Sequence, residues 1–451
     1  MEEYCMSKES HFGQTEIGLL PDDWNLIALK DVCSKIGSGV TPRGGDKVYK
    51  EKGTALVRSQ NVLNNRFVSD GLVYIDEDIA KEMNNVEVVK QDILLNITGD
   101  SVARCCTVPN YALPARVNQH VSIIRTNKEH LDPIFLTYYL TSPKMQSHML
   151  SLAQSGGTRN ALTKGMIENF VVPCPDIKEQ KAIARILLNF DSKITLNEHI
   201  NQTLRTAGQA IFKRWFVDFE FPNEEGKPYK SSGGEMIYSG KLGKEVPKGW
   251  MVGAIDDLCS SITNGGTPKR MVSKYWNGSI PWFKTGELTD SPLIDSEEHI
   301  TEEGLEDSAC KLWEENTVLI ALYAAPTVGR LGLLRIKAAS NQACSGLVAK
   351  KEISYPFLFY TLFFKRNEFN NIAVGAAQQN ISQQIVREAK TTIPPTALLK
   401  SFNDTSSTFF HKQTELVLQN RTLTQIRDTL LPKLMSGKIR VPVSKDDLEK
   451  P

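Results

Sequence analysis

Residues 176–218, DIKEQKAIARILLNFDSKITLNEHINQTLRTAGQAIFKRWFVD, contain no proline and a single glycine. Ile183, Leu187, Phe190, Ile194, Asn197, Asn201, Leu204, Gly208, Ile211 and Trp215 follow one another at alternating steps of four and three. That spacing predicts one long helix with a mostly apolar heptad stripe. Pro175 precedes it, and Asp176 with Glu179 reads as a capping box. At about 1.5 Å per residue such a helix spans roughly 60 Å and needs a partner along its stripe.

The same chain supplies that partner. Adding 219 to each stripe position gives Phe402, Ser406, Phe409, Gln413, Leu416, Asn420, Leu423, Arg427, Leu430 and Leu434, a second stripe within Thr396–Met435. The two helices are expected to form an intramolecular coiled coil. Its core includes Phe190, Ile194, Asn201, Leu204, Ile211 and Trp215 on one side, and Phe409, Leu416, Asn420, Leu423, Leu430 and Leu434 on the other. Asn201 and Asn420 occupy equivalent positions, where a buried polar residue fixes register at some cost in stability.

The regions before the helices repeat as well. PDDW at 21–24 followed by LIALKDVCSKIGSGVTPRGG corresponds to PKGW at 247–250 followed by MVGAIDDLCSSITNGGTPKR. Trp24 and Trp250, Gly39 and Gly265, Thr41-Pro42 and Thr267-Pro268, and Tyr49 and Tyr275 each lie 226 residues apart. The offset falls to 223 at Asn118-Gln119 and Asn341-Gln342 and to 220 at Asn160 and Asn380, as a duplication with small loop deletions would give. In each copy, short apolar runs separated by Gly, Asn and Asp read as strands and turns. A helical stretch, a Gly/Ala-rich loop, a strand and the long helix follow.

The expected fold is therefore α+β, with two α/β globules of short-strand sheets separated by two long antiparallel helices in a pseudo-two-fold arrangement. The first globule takes 1–173 and its helix 174–220. A Gly-, Lys- and Ser-rich linker takes 221–245, the second globule 246–394, its helix 395–440 and a tail 441–451. Residues 1–15 and the tail read as loosely ordered. Pro432 is placed to bend the second helix, and Ser436-Gly437 to end it.

The 451 residues carry a net charge of +1, so nucleic-acid binding would have to come from local basic faces or from partners. Eight cysteines without a CxxC pair read as reduced, buried thiols. No stretch reaches the about 18 apolar residues of a membrane span, and the N-terminus lacks a signal-like run, so the expected location is cytoplasmic. There is no phosphate-binding GxxxxGK[ST], no GxGxxG opening a helix, no HExxH and no other paired histidine spacing for a metal. The PD…ExK string at Pro175–Lys181 lies in the first turn of the long helix, whereas nuclease carboxylates converge from separate strands.

Two globules on a helical spacer suit a bipartite DNA site, which places two recognition units at a set separation. Arg suits guanine and Asn or Gln adenine, while Lys and Thr more often meet phosphate. Candidate DNA contacts in the first globule are Arg43, Arg58, Gln60, Asn61, Arg104, Asn118, Gln119, Arg159 and Asn160. In the second they are Lys269, Arg270, Lys284, Arg330, Asn341, Gln342, Gln378, Gln379 and Asn380. The loops differ at equivalent places, TRNA from Thr158 against QQNI from Gln378, as units reading different half-sites would.

The duplicated plan, the P-DDW and P-KGW openings, the G-x-TP loops, KRWFVDFE and the GKPYKSSGG linker resemble the DNA-specificity subunit of type I restriction–modification systems over nearly the whole chain. The resemblance implies that each globule is a target-recognition domain reading half of an asymmetric site, and that the helices set the gap. It implies no cofactor and no catalysis in this chain. S-adenosylmethionine would belong to two adenine-N6 methyltransferase subunits docked on the helices, and ATP and magnesium to endonuclease/translocase subunits. Phe212, Trp215, Phe216 and the stretch after Leu430 are docking candidates, with coiled-coil core as their alternative role. Two other readings remain open: an assembly adaptor, or a single-chain modification enzyme with an unrecognised active site.

Overall fold

The computed structural model describes residues 11–155, 160–323, 327–374 and 380–442. The chain divides into two compact units, 1–193 with 423–451 and 194–422, so both boundaries fall inside the long helices. Each unit therefore contains one globule and a segment of both helices.

In the first unit, Cys105–Thr107, Ile93–Asn96, Val121–Thr126 and Cys33–Ser38 form a four-stranded sheet in that order. A second sheet runs Val73–Ile75, Thr54–Val57, Ala115–Val117 and Glu87–Val88, and its Ala115–Val117 pairs parallel with Thr54–Val57. The strands are short, largely β-branched or leucine-rich, and buried in their central residues, which suits sheets covered on both faces. In the second unit a five-stranded sheet runs Cys259–Asn264, Cys344–Ala349, Val318–Ala321, Leu331–Leu334 and Ser291–Leu293. Trp276–Phe283 makes the corresponding parallel pair with Ala339–Ser340. In both units the strand leading into the long helix pairs antiparallel with the strand after the tryptophan shared by the two copies: Val171–Cys174 with Asn25–Ala28, and Lys390–Ile393 with Met251–Ala254.

The long helices are Ile177–Phe212, continued by a π-helical turn at Lys213–Val217, and Thr396–Met435. Within each unit their segments pair antiparallel. In the first, Arg427 reaches Asp191. In the second, Asn197 donates to Asn420 Oδ1 and Gln419 Oε1, each at 2.7 Å, and Phe402 packs on Phe216 at 4.9 Å between ring centroids. Their outer ends are not free coiled coil. Ile183, Leu187, Leu431, Leu434 and Met435 belong to the first globule's core, and Phe212, Phe216, Phe402 and Phe410 to the second's. Phe190, Ile194, Leu204, Ile211, Trp215, Phe409, Leu423 and Leu430 are half-buried, and Leu416 is buried.

Several expectations are corrected. Antiparallel pairing sets Asn197, not Asn201, against Asn420; Asn201 Oδ1 is buried with no hydrogen-bond partner among the described residues. Asp176 caps the first helix through Lys178 N at 2.9 Å, but Glu179 does not turn back to complete a box. Its buried carboxylate instead accepts from Trp24 Nε1 and Arg440. The α-helix stops at Phe212, short of position 220. The expected linker holds structure: Phe221 stacks on Tyr229 at 4.5 Å, and Met236–Ser239 pairs with Lys244–Pro247. Phe12–Thr15 likewise forms a strand against Gly18–Pro21. Pro143 divides the first globule's helical stretch into Pro133–Thr141 and Pro143–Ser155, whereas Tyr355–Val374 is one helix. The second long helix includes Pro432, and Gly437 at φ 66° follows its end.

The seven cysteines among the described residues are free, and burial pushes the Cys33, Cys106, Cys259 and Cys344 thiols up to about 12. Among the described residues, no helix is long and apolar enough to cross a membrane, and no group of three His, Cys, Asp or Glu stands ready for a metal ion.

Candidate nucleic-acid interface

The candidate residues lie on loops that the sheets hold by the same backbone scaffold in both units. In the first, Asn118 N donates to Val57 O at 3.0 Å, Ile97 N to His120 O at 3.0 Å, Leu162 N to Ile97 O at 2.8 Å and Asn96 N to Arg104 O at 2.8 Å. In the second, Asn341 N donates to Phe283 O at 3.0 Å, Leu322 N to Ala343 O at 2.8 Å, Ile381 N to Leu322 O at 3.0 Å and Ala321 N to Arg330 O at 2.9 Å. These are the same four bonds at offsets of 219 to 226. They gather the segments around positions 58, 104, 119 and 160 in one unit and around 284, 330, 342 and 380 in the other.

A further element is shared. Thr41 Oγ1 donates to Gln119 Oε1, and Thr267 Oγ1 to Gln342 Oε1, stapling each TP loop to the Asn-Gln turn. The glycine two residues before each threonine permits that approach. A Cβ on Gly39 would stand 2.0 Å from Val117 O, and one on Gly265 2.4 Å from Asn341 O. Ala103 (φ 72°) and Gly329 (φ 76°) turn the backbone through the left-handed region directly before Arg104 and Arg330. For alanine that conformation costs about 1–2 kcal/mol, which the surrounding hydrogen bonds must offset.

The candidates separate by environment. Arg43, Gln60, Arg104, Gln119 and Asn160 are exposed in the first unit, as are Lys269, Arg270 and Gln342 in the second. Lys284, Arg330, Asn341 and Asn380 are half-buried. Arg159, Gln378 and Gln379 lie outside the described residues.

Asn61 and Asn118 are corrected from base readers to scaffold. Asn61 is fully buried, accepting from Arg58 N at 3.1 Å and donating to Val68 O at 2.9 Å. Asn118 is buried and accepts from His120 N at 3.1 Å, an Asx turn that Asn341 repeats with Ala343 N. Arg58 is partly engaged: its Nη2 donates to Gly71 O at 2.6 Å, and its guanidinium lies 5.4 Å from the Tyr49 ring centroid.

In the second unit, Arg270 and Lys284 are both tied to Glu298, with Lys284 Nζ 2.9 Å from Oε1 and Arg270 on Oε2. The Arg270 bond holds the Glu298 carboxyl below its usual range, and the Glu298 bond raises the Lys284 ammonium. Arg270 also lies 3.9 Å from the Trp276 ring centroid and 4.9 Å from that of Trp282.

Two groups were not singled out in the sequence. His120 Nδ1 shares a 2.6 Å hydrogen bond with Thr98 Oγ1 beside Gln119. Glu298 is the other, because its partners are 14 and 28 residues away along the chain.

Each unit presents one loop cluster on the same scaffold, the arrangement expected of a DNA-specificity protein. The chain belongs to the family described as type I restriction modification DNA specificity domain, which matches residues 21–206 and 247–402. It is a non-catalytic specificity subunit of that class. It is 28% identical to the type I restriction enzyme MjaIX specificity subunit of Methanocaldococcus jannaschii, over 96% of this chain and 97% of that one. To the type I restriction enzyme HindI specificity subunit of Haemophilus influenzae it is 24% identical, over 92% and 100%. In fold it resembles the type I restriction–modification S subunit from M. genitalium, with a TM-score of 0.57 at 15% identity, over 91% of this chain and 96% of that one. Subunits of this class work with DNA and with other subunits of the restriction–modification complex.

Proposed function

We propose that each unit reads one half of a bipartite, asymmetric DNA sequence through these loops, and that the long helices fix the number of unread base pairs between the halves. The observation that carries this reading is the repeated scaffold. The same backbone bonds present Arg104, Gln119 and Asn160 in one unit and Arg330, Gln342 and Asn380 in the other, while neighbouring side chains differ. Arg43 and Lys269 extend each surface, and Arg58, Gln60 and Asn341 border it. Arg159, Gln378 and Gln379 are assigned to the same role from their place in the sequence. Asn61 and Asn118 hold loop shape.

Methylation of adenine N6 and restriction are the work of partners: two methyltransferase subunits that bind S-adenosylmethionine, and endonuclease/translocase subunits that use ATP and magnesium, acting in the cytoplasm. Phe212 and Phe216 are each only 4% exposed and are withdrawn as docking residues. Exposed apolar residues on the helices take their place, Leu188 and Ile426 in the first unit and Leu196 and Leu418 in the second.

Replacing residues 16–172 with the corresponding globule of another family member is expected to change half of the methylated motif in cells carrying the whole complex. An unchanged motif by genome-wide N6-methyladenine mapping would sink the reading and favour a protein-binding adaptor. Arg104→Ala is expected to relax one position of one half-site, at a cost of about 1–3 kcal/mol in discrimination.

A further inference from the structure

The loop cations of the two units are not in the same state. Arg43 and Arg104 are exposed on the first unit. In the second, the Glu298 carboxylate holds two cations at once, and one of them, Lys284, also lies 3.3 Å from Glu297 Oε2. Glu298 Oε1 stands 2.9 Å from Lys284 Nζ, while Oε2 accepts from Arg270 Nη1.

The backbone fixes this carboxylate in place. Trp282 N donates to Glu298 O at 2.9 Å, and the next residue, His299, pairs with Pro281 across the strand. The Arg270 guanidinium is meanwhile oriented by Trp276, whose Nε1 donates to Lys269 O at 3.3 Å. The arginine is thus aimed and neutralised at the same time.

We propose that Glu298 is a built-in competitor for DNA that suppresses nonspecific binding by the second unit and yields only to a base offering Arg270 two acceptors. This rests on reading the 267–270 loop as a DNA contact. A backbone phosphate offers Arg270 an anion in exchange for the anion it already holds, so random DNA gains little by displacing the carboxylate. Guanine O6 and N7 match the guanidinium fork bidentately, whereas the Arg270–Glu298 contact uses one nitrogen and one oxygen. After such an exchange Glu298 is not left as an isolated charge, because Lys284 remains on its other oxygen and Trp276 still backs the arginine. Glu298 is a positioning residue in this scheme, and its effect is on the ratio of specific to nonspecific binding.

The test uses the purified full chain, a random-sequence duplex, and fluorescence anisotropy over a salt series. Glu298→Gln is expected to free Arg270 while Lys284 keeps Glu297, tightening nonspecific binding several-fold near 100 mM salt and steepening the slope of log K against log salt by about 1, as one freed phosphate contact would. A merely structural glutamate would give weaker binding on removal. Unchanged or weaker binding by Glu298→Gln, with the wild type binding measurably, overturns the competitor. No measurable binding by either protein counts against the DNA-reading surface itself.

Should Glu298→Gln lose its fold by circular dichroism, the Arg270→Gln/Lys284→Gln double variant decides. Its nonspecific salt slope is expected within one unit of the wild type. A fall by about two would show that both cations already grip random DNA, and would overturn the proposal.

Discussion

The helix segments of the two units are anchored by opposite chemistry at equivalent positions. In the first unit, Tyr138 donates to Asp191 at 2.6 Å and Arg427 grips the same carboxylate. In the second unit, the corresponding places hold Tyr360, Phe410 and Gly208. Tyr360 lies 5.5 Å from the Phe410 ring, over a glycine whose Cβ would collide with its hydroxyl at 1.9 Å.

The outer anchors differ in the same way. Arg440 binds Asp23 at 2.9 Å and Glu179 at 2.8 Å, and lies 5.9 Å from the Trp24 ring. Its counterpart Phe221 stacks on Trp250 at 5.3 Å, with Gly249 in place of Asp23 and Leu398 in place of Glu179. One duplicated frame accepts either solution, because the volume to be filled is similar and only the polarity changes. The ionic anchor depends on every partner being present, since a buried charge left alone costs more than the pair contributes. The aromatic anchor depends on shape.

The largest effect is expected at the aromatic anchor of the second unit. Phe402 is fully buried and meets Phe212, Trp215, Phe216 and Tyr360. Phe402→Ala should cost about 3–5 kcal/mol, read by denaturant unfolding. Its loss of hydrogen-exchange protection should fall on 194–422, and a uniform loss would break the distinction between the units.

Next comes Arg440→Ala, which leaves Glu179, with a side chain 8% exposed, holding Trp24 alone among the described residues. A cost of about 1–3 kcal/mol is expected, given the arginine's own partial exposure. This cost should shrink at 1 M salt, while that of Phe402→Ala should not.

Gly208→Ala tests the shape dependence alone. Pushing Tyr360 aside is expected to cost about 1–3 kcal/mol, which Gly208→Ala combined with Tyr360→Phe should partly recover.

The smallest effect is expected for Asn197→Leu with Asn420→Leu. Replacing the polar pair by apolar side chains should leave stability within about 1 kcal/mol or raise it, while loosening helix register. Cysteine cross-linking of neighbouring positions reads register directly. A single cross-linked register identical to that of the wild type would remove the pair's assigned role.

The duplication, the long helices and the α+β class were legible because they rest on repeated local signals: heptad spacing, paired tryptophans and TP loops, all readable without distant contacts. The loops bearing the candidate residues were legible for the same reason. What those side chains do was not. Asn61 and Arg104 look alike as polar loop residues, yet one is sealed inside its loop by bonds to Val68 and Arg58 while the other faces solvent. Phe212 and Phe216 read either as docking residues or as coiled-coil core, and only packing against Phe357 and Phe402 shows them to be core of the second globule.

Sequence by itself thus determined the repeat, the helices and the family. Tertiary structure alone decided which asparagine meets Asn420, that Glu179 serves Arg440 in place of a capping box, and that Glu298 holds two candidate DNA-binding cations. The physical reason is range. Periodicity and turn chemistry act over a few residues, whereas burial, ion pairing and antiparallel register depend on groups up to 417 positions apart, as Asp23 and Arg440 are.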